Sequence, residues 1–233
     1  MHRRHLRSPA GATLVFDCDG VLVDSEILSE RAYRDGVAEV GIDLPDALWA
    51  ECVGRKRADI FALIEAAAGK PVPEATRARI PEIVRGLFEK ELRATAGVRE
   101  FLSGSSAPRC VASSSDPDRI GLSLRLTGLD GYFPAGSVFS SQEVRHGKPA
   151  PDLYLHAARR MGFDPPNCVV IEDSAPGVVG AKAAGMFVVG YVGATHVRPG
   201  HDARLAAAGA DLVASDWTAI AAALREDATS RIR

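Results

Sequence analysis

The stretch Asp17-Cys18-Asp19-Gly20 constrains this chain more than any other part of it. It follows an apolar run from Thr13 to Phe16, which is typical of a buried β-strand. Because successive side chains of a strand point to opposite faces, Asp17 and Asp19 are predicted to share one face. Gly20 lets the chain turn directly afterwards. Two carboxylates at the carboxyl end of a strand suit a reaction site in an open α/β sheet, and the alternative is a strand end capped by turn-forming aspartates.

The composition excludes several classes of protein. Of the 233 residues, 46% are hydrophobic and 25% are charged, as in a globular protein with a sizeable core. The formal net charge of -2 does not favour binding to nucleic acid or to an anionic membrane. No apolar run approaches the about 20 residues that a membrane helix needs. We therefore expect no nucleic-acid partner and no membrane partner.

The four cysteines, at positions 18, 52, 110 and 168, form no CxxC pair and have no metal-ligand spacing. They are predicted to be reduced thiols in a cytoplasmic protein. Cys18 lies between two aspartates, where a thiolate is electrostatically disfavoured, so we do not expect it to act as a nucleophile.

Six short apolar runs, several followed by a helical pattern, predict a parallel sheet covered by helices on both faces. The predicted strands are Thr13–Phe16, Arg109–Ser113, Val138–Ser140, Cys168–Asp173, Phe187–Tyr191 and, more weakly, Asp211–Val213. The predicted helices between them are Pro117–Leu126, Asp152–Met161 and a helix from Ser174, as N-cap, to Ala184.

The segment between the first two strands is predicted to be helical, with no convincing strand. Its predicted helices are Ser25–Val40, Asp46–Val53, Arg57–Ala68 and Glu74–Ala94. A helical block of this length between strands indicates an inserted helical domain. We assign residues 1–12 to a disordered tail, 13–27 and 96–225 to an α/β core domain, and 28–95 to the inserted domain. An organelle-targeting role for the basic tail is a minor alternative.

Polar residues end four of the predicted strands or follow them. They are Asp17 and Asp19 after the first, Ser113-Ser114-Ser115 at the second, Lys148-Pro149 after the third and Glu172-Asp173 at the fourth. In a parallel sheet these ends lie along one edge. Clustered carboxylates suit a hard cation such as Mg2+, and a hydroxyl and an ammonium group can hold phosphate oxygens. The combination predicts phosphoryl transfer.

These four motifs, in this order and spacing, resemble those of the haloacid dehalogenase-like (HAD) hydrolase superfamily, over about Thr13 to Trp217. The helical insert resembles the cap of the subgroup that contains small sugar phosphatases and β-phosphoglucomutase. The resemblance implies an α/β fold, with a Rossmann-like parallel sheet core flanked by helices and an inserted all-helical cap domain. It also implies a cytoplasmic Mg2+-dependent enzyme, a monomer or weak dimer, acting on a small phosphate ester.

The resemblance also implies residue roles. Asp17 is the nucleophile that forms a phosphoaspartyl intermediate, and Asp19 is the general acid and then the general base. Phosphate is bound by Ser113, with help from the Ser114 backbone, and by Lys148. The metal ligands are Asp17, the backbone carbonyl of Asp19, Asp173 and, directly or through water, Glu172.

The cap segment Gly54-Arg55-Lys56-Arg57 resembles the loop that sets substrate specificity, and Gly54, Arg55 and Lys56 are candidate substrate-binding residues. Arg55 and Lys56 suit a polar or anionic part of a substrate. A solvated basic loop at a helix start is an equal alternative.

Single residues help to choose among relatives. Asp19 argues against dehalogenases and phosphonate hydrolases, which lack the second aspartate. The histidine typical of mutases is replaced by Ser29, which favours a phosphatase of sugar phosphates over a β-phosphoglucomutase-like phosphomutase. A non-catalytic HAD-fold binding protein is a further alternative, but loss of Asp17 or Asp173 would be its expected mark.

Other polar residues and glycines are predicted to be structural. Asp24 is predicted to accept hydrogen bonds near the hinge, and Ser114 and Ser115 are equally well explained as turn residues. Exposed loop positions are predicted for His146, His196 and His201, with a role in the site as a minor alternative. Packing and capping roles are predicted for Gly177, Gly180 and Gly185.

Overall fold

The centre of the molecule is a six-stranded sheet in which all neighbouring strands are parallel. The structure is a computed structural model that describes residues 12–229, apart from residues 53, 54 and 56. In chain order the strands are β1 (Thr13–Phe16), β2 (Arg109–Ser113), β3 (Val138–Ser140), β4 (Cys168–Glu172), β5 (Phe187–Tyr191) and β6 (Leu212–Ala214). The predicted α/β fold with a Rossmann-like parallel sheet is confirmed.

Ten α-helices surround the sheet in the described part of the chain. They are α1 (Glu26–Ala38), α2 (Asp46–Cys52), α3 (Arg57–Ala68), α4 (Glu74–Glu91), α5 (Val98–Ser103), α6 (Pro117–Leu126), α7 (Asp152–Met161), α8 (Ala175–Ala183), α9 (His201–Ala207) and α10 (Trp217–Thr229). Helix α5 was not predicted, because six residues are too few to develop a clear helical period. For the region of α9 and α10, the sequence indicates Ala-rich helices near the C-terminus without defining their bounds. Ser174 caps α8 as predicted, since its Oγ accepts a hydrogen bond from the Gly177 N–H (3.2 Å).

Strands β4 and β6 differ from the prediction by one residue, and β6 also ends one residue later than predicted, at Ala214. Strand β4 ends at Glu172, so Asp173 lies just beyond it. Strand β6 begins at Leu212 rather than Asp211. The Asp211 carboxylate accepts hydrogen bonds from Lys182 Nζ (2.7 Å) and from the Val188 N–H (2.8 Å), which makes this residue part of the turn.

Helix α4 ends at Glu91, three residues before the predicted end. The chain then becomes extended and lies beside the segment that leaves β1. The Asp24 N–H donates to the Arg93 carbonyl (2.9 Å), and Val23 and Ala94 form an antiparallel bridge. These two adjoining segments connect the helical insert to the core, and we call them the hinge.

Helices cover both faces of the sheet. Leu14 and Phe16 of β1 belong to one apolar cluster, whereas Val15 belongs to the other, which confirms the predicted alternation. The first cluster also includes Phe61 and Ile80 of the insert, so the apolar interior is continuous between the insert and the sheet. The proposed division at residues 27/28 and 95/96 remains a prediction, and residues 1–11 of the proposed tail lie outside the described residues.

The strand order β3-β2-β1-β4-β5-β6 reverses direction between β1 and β4. At such a switch point the loops leaving adjacent strands diverge and open a crevice beyond the carboxyl ends of the strands.

Within the described residues, none of the helices combines the length and the apolar character required to cross a membrane.

Candidate functional site

The ends of β1 and β4 bring a buried lysine between two carboxylates. Lys148 Nζ donates a hydrogen bond to Asp17 Oδ1 (2.6 Å) and another to Glu172 Oε1. Only 2% of the Lys148 side chain is exposed. Burial acts to lower the pKa of Lys148, but the charges of Asp17 and Glu172 outweigh it and raise this pKa well above its usual value. The ammonium group is therefore charged and is directed at Asp17.

Glu172 is held by several further donors. The Tyr154 hydroxyl donates to Glu172 Oε1 (2.9 Å), and the Ser174 N–H and Oγ donate to Oε2 (2.8 and 2.9 Å). The N-terminal turn of α8 approaches this carboxylate so closely that a Cβ on Gly177 would lie 1.9 Å from Oε1. Gly180 likewise faces the Ala150 carbonyl, with an added Cβ 2.9 Å away. Close packing explains both glycines, as predicted.

Three buried carboxylates form a group that could hold a metal ion. One oxygen each from Asp17, Glu172 and Asp173 lies within 4.8 Å of the others. Burial and the neighbouring carboxylates raise the pKa of Asp17 and of Asp173 well above the usual range, although Lys148 acts in the opposite direction. Among the described residues, Asp173 Oδ2 has no hydrogen-bond partner. Three clustered carboxylates, one of them with an oxygen that lacks a partner, fit a hard divalent cation, whose charge would favour their ionised forms.

Asp19 faces a different set of partners from Asp17. Ser25 Oγ and Arg119 Nη2 donate to its Oδ1 (2.7 and 2.9 Å), and Ser115 Oγ donates to Oδ2 (2.6 Å). Burial acts to raise the pKa of Asp19, but the Arg119 charge and these hydrogen bonds outweigh it and lower the pKa. The side chain of Asp19 lies outside the three-carboxylate group. Its predicted metal contact, through the backbone carbonyl, remains a prediction.

Arg119, in the first turn of α6, was missed by the sequence analysis. Its Nη2 donates to both Asp19 Oδ1 and Ser29 Oγ, each at 2.9 Å. Its guanidinium carbon lies 5.0 Å from the ring centre of Phe88 in α4. The arginine therefore connects the core to two helices of the insert. A basic residue one helical turn after the serine-rich end of β2 was the available signal, but a single arginine at a helix start is usually exposed.

The predicted phosphate-binding residues line the same cleft. Ser113 Oγ accepts a hydrogen bond from the Ser115 N–H (3.1 Å) and lies 3.5 Å from Asp19 Oδ2. The Ser114 carbonyl accepts from Ser141 Oγ (3.0 Å), which holds the turn in place. Ser113, Ser114 and Lys148 all face the cleft. Their roles in phosphate binding remain predictions.

The cleft lies between the carboxyl edge of the sheet and the helical insert and has a volume of about 1190 Å³. Arg55 and Arg57 line it from the insert. Arg55 is exposed, and its Nε donates to the Glu51 carbonyl (2.7 Å). The other two residues of the predicted specificity loop, Gly54 and Lys56, lie outside the described residues.

The prediction that the histidines after β5 are exposed was wrong. His196 and His201 are buried, and both contact Asp173. Burial lowers the pKa of each ring. His146 is different, because 60% of its side chain is exposed and it pairs with Asp152 (3.1 Å), as expected of a loop residue.

Cys18 lies between the two aspartates, and Gly20 directly follows the second. Gly20 has a positive φ of 75°, and a Cβ there would lie 2.0 Å from Asp173 Oδ2. Only glycine allows β1 and β4 to place their acidic ends this close. Burial, followed by Asp19 and Asp17, raises the pKa of the Cys18 thiol well above its usual value. This agrees with the prediction that Cys18 is not a nucleophile.

The model of the haloacid dehalogenase-like hydrolase family matches residues 12–185 of this chain. The chain belongs to this family. The 6-phosphogluconate phosphatase of Escherichia coli (strain K12) is 34% identical over 187 residues, which cover 79% of this chain and 84% of the relative. A phosphorylated carbohydrates phosphatase of Thermotoga maritima is 36% identical over 177 residues, covering 74% and 81%.

A solved structure supports the same assignment. A conserved haloacid dehalogenase-like protein of Agrobacterium tumefaciens str. C58 is 33% identical, with a TM-score of 0.82 over 92% of this chain and 98% of that protein. The predicted membership of the HAD superfamily is confirmed, and so is the predicted class of enzyme, a hydrolase that acts on phosphate monoesters. This HAD-like hydrolase therefore carries Asp17, Lys148 and the serines that follow β2 where its sheet opens towards the cleft.

Proposed function

We propose that this HAD-like hydrolase is a Mg2+-dependent phosphatase of small phosphorylated metabolites, above all sugar phosphates. The observation that carries the proposal is the hydrogen bond from Lys148 Nζ to Asp17 (2.6 Å), where Asp17 belongs to the three-carboxylate group. The second aspartate, Asp19, is held nearby by Arg119. The similarity to two phosphatases of phosphorylated carbohydrates supports the substrate class. A cleft of about 1190 Å³ has room for a sugar phosphate.

In the first step, an Asp17 carboxylate oxygen attacks phosphorus, and the bond between phosphorus and the ester oxygen breaks. Lys148 balances negative charge on Asp17 and on the phosphoryl oxygens. Ser113 Oγ and the Ser114 N–H are the proposed donors to the transferring phosphoryl group. Asp19 gives its proton to the departing alkoxide, and the product of this step is an alcohol and a phosphoaspartyl group on Asp17.

In the second step, water attacks the phosphoaspartyl group while Asp19 removes its proton, and the Asp17 carboxylate leaves. The hydrogen bonds from Arg119, Ser25 and Ser115 favour the ionised form of Asp19, which is the form that this step requires. The first step requires the protonated form. We infer that a bound substrate displaces at least one of these donors from Asp19.

Mg2+ is the proposed cation, with Asp17, Asp173 and the Asp19 carbonyl as direct ligands and Glu172 as a direct or water-mediated ligand. When bound, it supplies positive charge that offsets the nucleophile and the phosphoryl oxygens. Asp17, Glu172 and Asp173 are preorganised for it, because β1 and β4 are adjacent and Gly20 permits the close approach.

The proposal is tested by phosphate release from a panel of phosphorylated metabolites, with Mg2+ and with EDTA. Asp17→Asn is expected to abolish release, since an amide is neither an anionic nucleophile nor a good ligand. Asp35→Asn is the matched control, because Asp35 is an exposed residue of α1 away from the cleft. Wild-type turnover by Asp17→Asn would show that the nucleophile is assigned wrongly.

The alternative is a β-phosphoglucomutase-like phosphomutase. Ser29, in place of the histidine typical of mutases, is engaged by Arg119 (2.9 Å) and favours hydrolysis. With β-glucose 1-phosphate, phosphorus NMR should detect inorganic phosphate and no glucose 6-phosphate. Accumulation of glucose 6-phosphate would reverse this ranking.

We also propose that the protein works in the cytoplasm, without nucleic acid or membrane, as a monomer or weak dimer. Free cysteines at positions 18, 52, 110 and 168 support a reducing compartment. Light scattering after size-exclusion chromatography measures the oligomeric state, and a stable tetramer would contradict this part of the proposal.

A further inference from the structure

The loop between β5 and α9 connects three parts of the molecule. Its Thr195 N–H and Oγ1 donate to the hinge residue Asp24 at Oδ1 (3.1 and 2.8 Å). Its Arg198 donates through Nη1 to the Asp46 carbonyl of α2 (2.9 Å) and through Nη2 to Glu30 of α1 (3.1 Å). The loop is thus held by the hinge and by the insert at the same time.

The same loop directs His196 at Asp173. His196 Nε2 lies 3.0 Å from Asp173 Oδ2, and only 4% of the His196 side chain is exposed. His201, the first residue of α9, places its Nε2 2.6 Å from the Asp173 carbonyl oxygen. The two rings meet edge to face, with centres 5.8 Å apart. Asp173 is therefore contacted by one ring at its carboxylate and by the other at its backbone.

Hydrogen bonding at this contact is incomplete. His196 Nε2 and Asp173 Oδ2 are within hydrogen-bond distance, yet their alignment does not make a hydrogen bond. Both ring nitrogens of His196 are buried without a hydrogen-bond partner among the described residues. Buried polar atoms without partners are costly, so each such exception calls for an explanation. The separation of 3.0 Å is short enough for the ring to donate to the carboxylate once the two groups are aligned.

We propose that His196 and His201 are positioning residues that hold Asp173 in the orientation needed to bind the divalent cation. The inference rests on the proposed cation site, and neither ring belongs to the three-carboxylate group itself. Carboxylates that bind metals are oriented by hydrogen-bond partners in a surrounding layer, and loss of such a partner typically weakens metal binding by about 10–100-fold. His201 restrains the backbone of Asp173 and His196 restrains its carboxylate.

The experiment measures Mn2+ binding to the full chain directly, by the loss of the free-ion EPR signal, without substrate. His196→Leu and His201→Leu fill the space of the rings without a donor, and each should weaken binding by about tenfold or more. His196→Gln and His201→Gln carry an amide donor near the position of Nε2, and each should bind within about threefold of the wild type.

His146→Leu is the matched control, because His146 is an exposed histidine that pairs with Asp152. Unfolding midpoints in EDTA identify variants that fail to fold. If neither leucine variant folds, the glutamine variants decide, since tenfold weaker binding by both would overturn the proposal. A folded His196→Leu variant with wild-type affinity would also overturn it, as would equal losses in the leucine and glutamine variants.

This measurement is independent of phosphate release. A protein that binds Mn2+ tightly but lacks phosphatase activity would contradict the proposed function and leave the positioning role standing. A phosphatase whose histidine variants keep wild-type cation affinity would contradict only the positioning role.

Discussion

At the scale of single residues, Asp19 is held by donors from separate parts of the chain. Ser25 precedes α1, Ser115 follows β2, and Arg119 lies in α6. The arginine also contacts Ser29 and Phe88 of the insert, so its position depends on how the insert is placed. A guanidinium group can donate in two directions within one plane, which an ammonium group cannot reproduce.

Arg119→Met should reduce kcat by about tenfold to a hundredfold, with a smaller change in KM, because a misplaced catalytic group costs rate more than binding. Arg119→Lys should give an intermediate kcat. Steady-state phosphate release measures both parameters. Arg79→Met is the control, because Arg79 forms an exposed ion pair with Glu39 (2.5 Å) on the insert. An unchanged kcat in Arg119→Met would refute the role of Arg119 in orienting Asp19.

Glu26 faces the cleft at the start of α1. Burial, followed by the Asp19 charge, raises the pKa of Glu26 from 4.5 to about 8. Between these two values the folded protein keeps a proton that the unfolded chain has released. The Glu26 contribution to stability therefore becomes less favourable as pH rises through this window.

Glu26→Gln removes this titration. The stability of the variant minus that of the wild type should increase by about 3–4 kcal/mol between pH 5 and pH 8, because the wild type loses this contribution as the pH rises. Urea unfolding in EDTA at both pH values measures the difference. The prediction is wrong if the variant and the wild type differ by the same amount at pH 5 and pH 8.

At the scale of secondary-structure elements, the position of α8 depends on a glycine. A Cβ on Gly177 would lie 1.9 Å from Glu172 Oε1, which is less than any allowed contact. Gly86 of α4 differs, because a Cβ added there has no neighbour within 4 Å. A glycine-to-alanine substitution should therefore destabilise the protein at Gly177 in α8 and stabilise it at Gly86 in α4.

Gly177→Ala should lower the free energy of unfolding by about 1–3 kcal/mol, because the Glu172 carboxylate must move away from its donors. Gly86→Ala should raise it by about 1 kcal/mol, because alanine favours a helix over glycine. Urea unfolding measures both. A Gly177→Ala variant as stable as Gly86→Ala would contradict the close packing of α8 on Glu172.

At the scale of the whole molecule, one apolar cluster contains residues of both the insert and the core. It includes Trp49 of α2 and Trp217 of α10, which are the two tryptophans of the chain. Both are buried, at 3% and 2% exposure. A shared interior favours a single cooperative unfolding transition.

Trp217→Phe leaves Trp49 to report on the insert, and Trp49→Phe leaves Trp217 to report on the core. In each variant, the fluorescence transition in urea should coincide with the far-UV circular dichroism transition. Both transitions are measured on the same variant, so any change in stability caused by the substitution affects them equally. A Trp49 transition at lower urea than the dichroism transition would show that the insert unfolds independently.

Much of the fold was predictable because its signals are local. The apolar strands, the glycine after Asp19 and the N-cap at Ser174 act over a few residues. The exceptions coincide with contacts between residues far apart in sequence, which a local pattern does not reveal. Beyond the end of α4, Arg93 and Ala94 pair with Asp24 and Val23. Just before β6, the Asp211 carboxylate accepts a hydrogen bond from Lys182.

The sequence by itself determined which chemical groups lie at the strand ends, because strand alternation and hydrophobicity are properties of short segments. The tertiary structure alone decided which distant side chains control those groups. Arg119 is 100 positions from Asp19, yet it donates to its carboxylate, and His196 reaches Asp173 through a loop held by Asp24. Such contacts depend on how strands, hinge and insert pack together, and no local pattern encodes that packing.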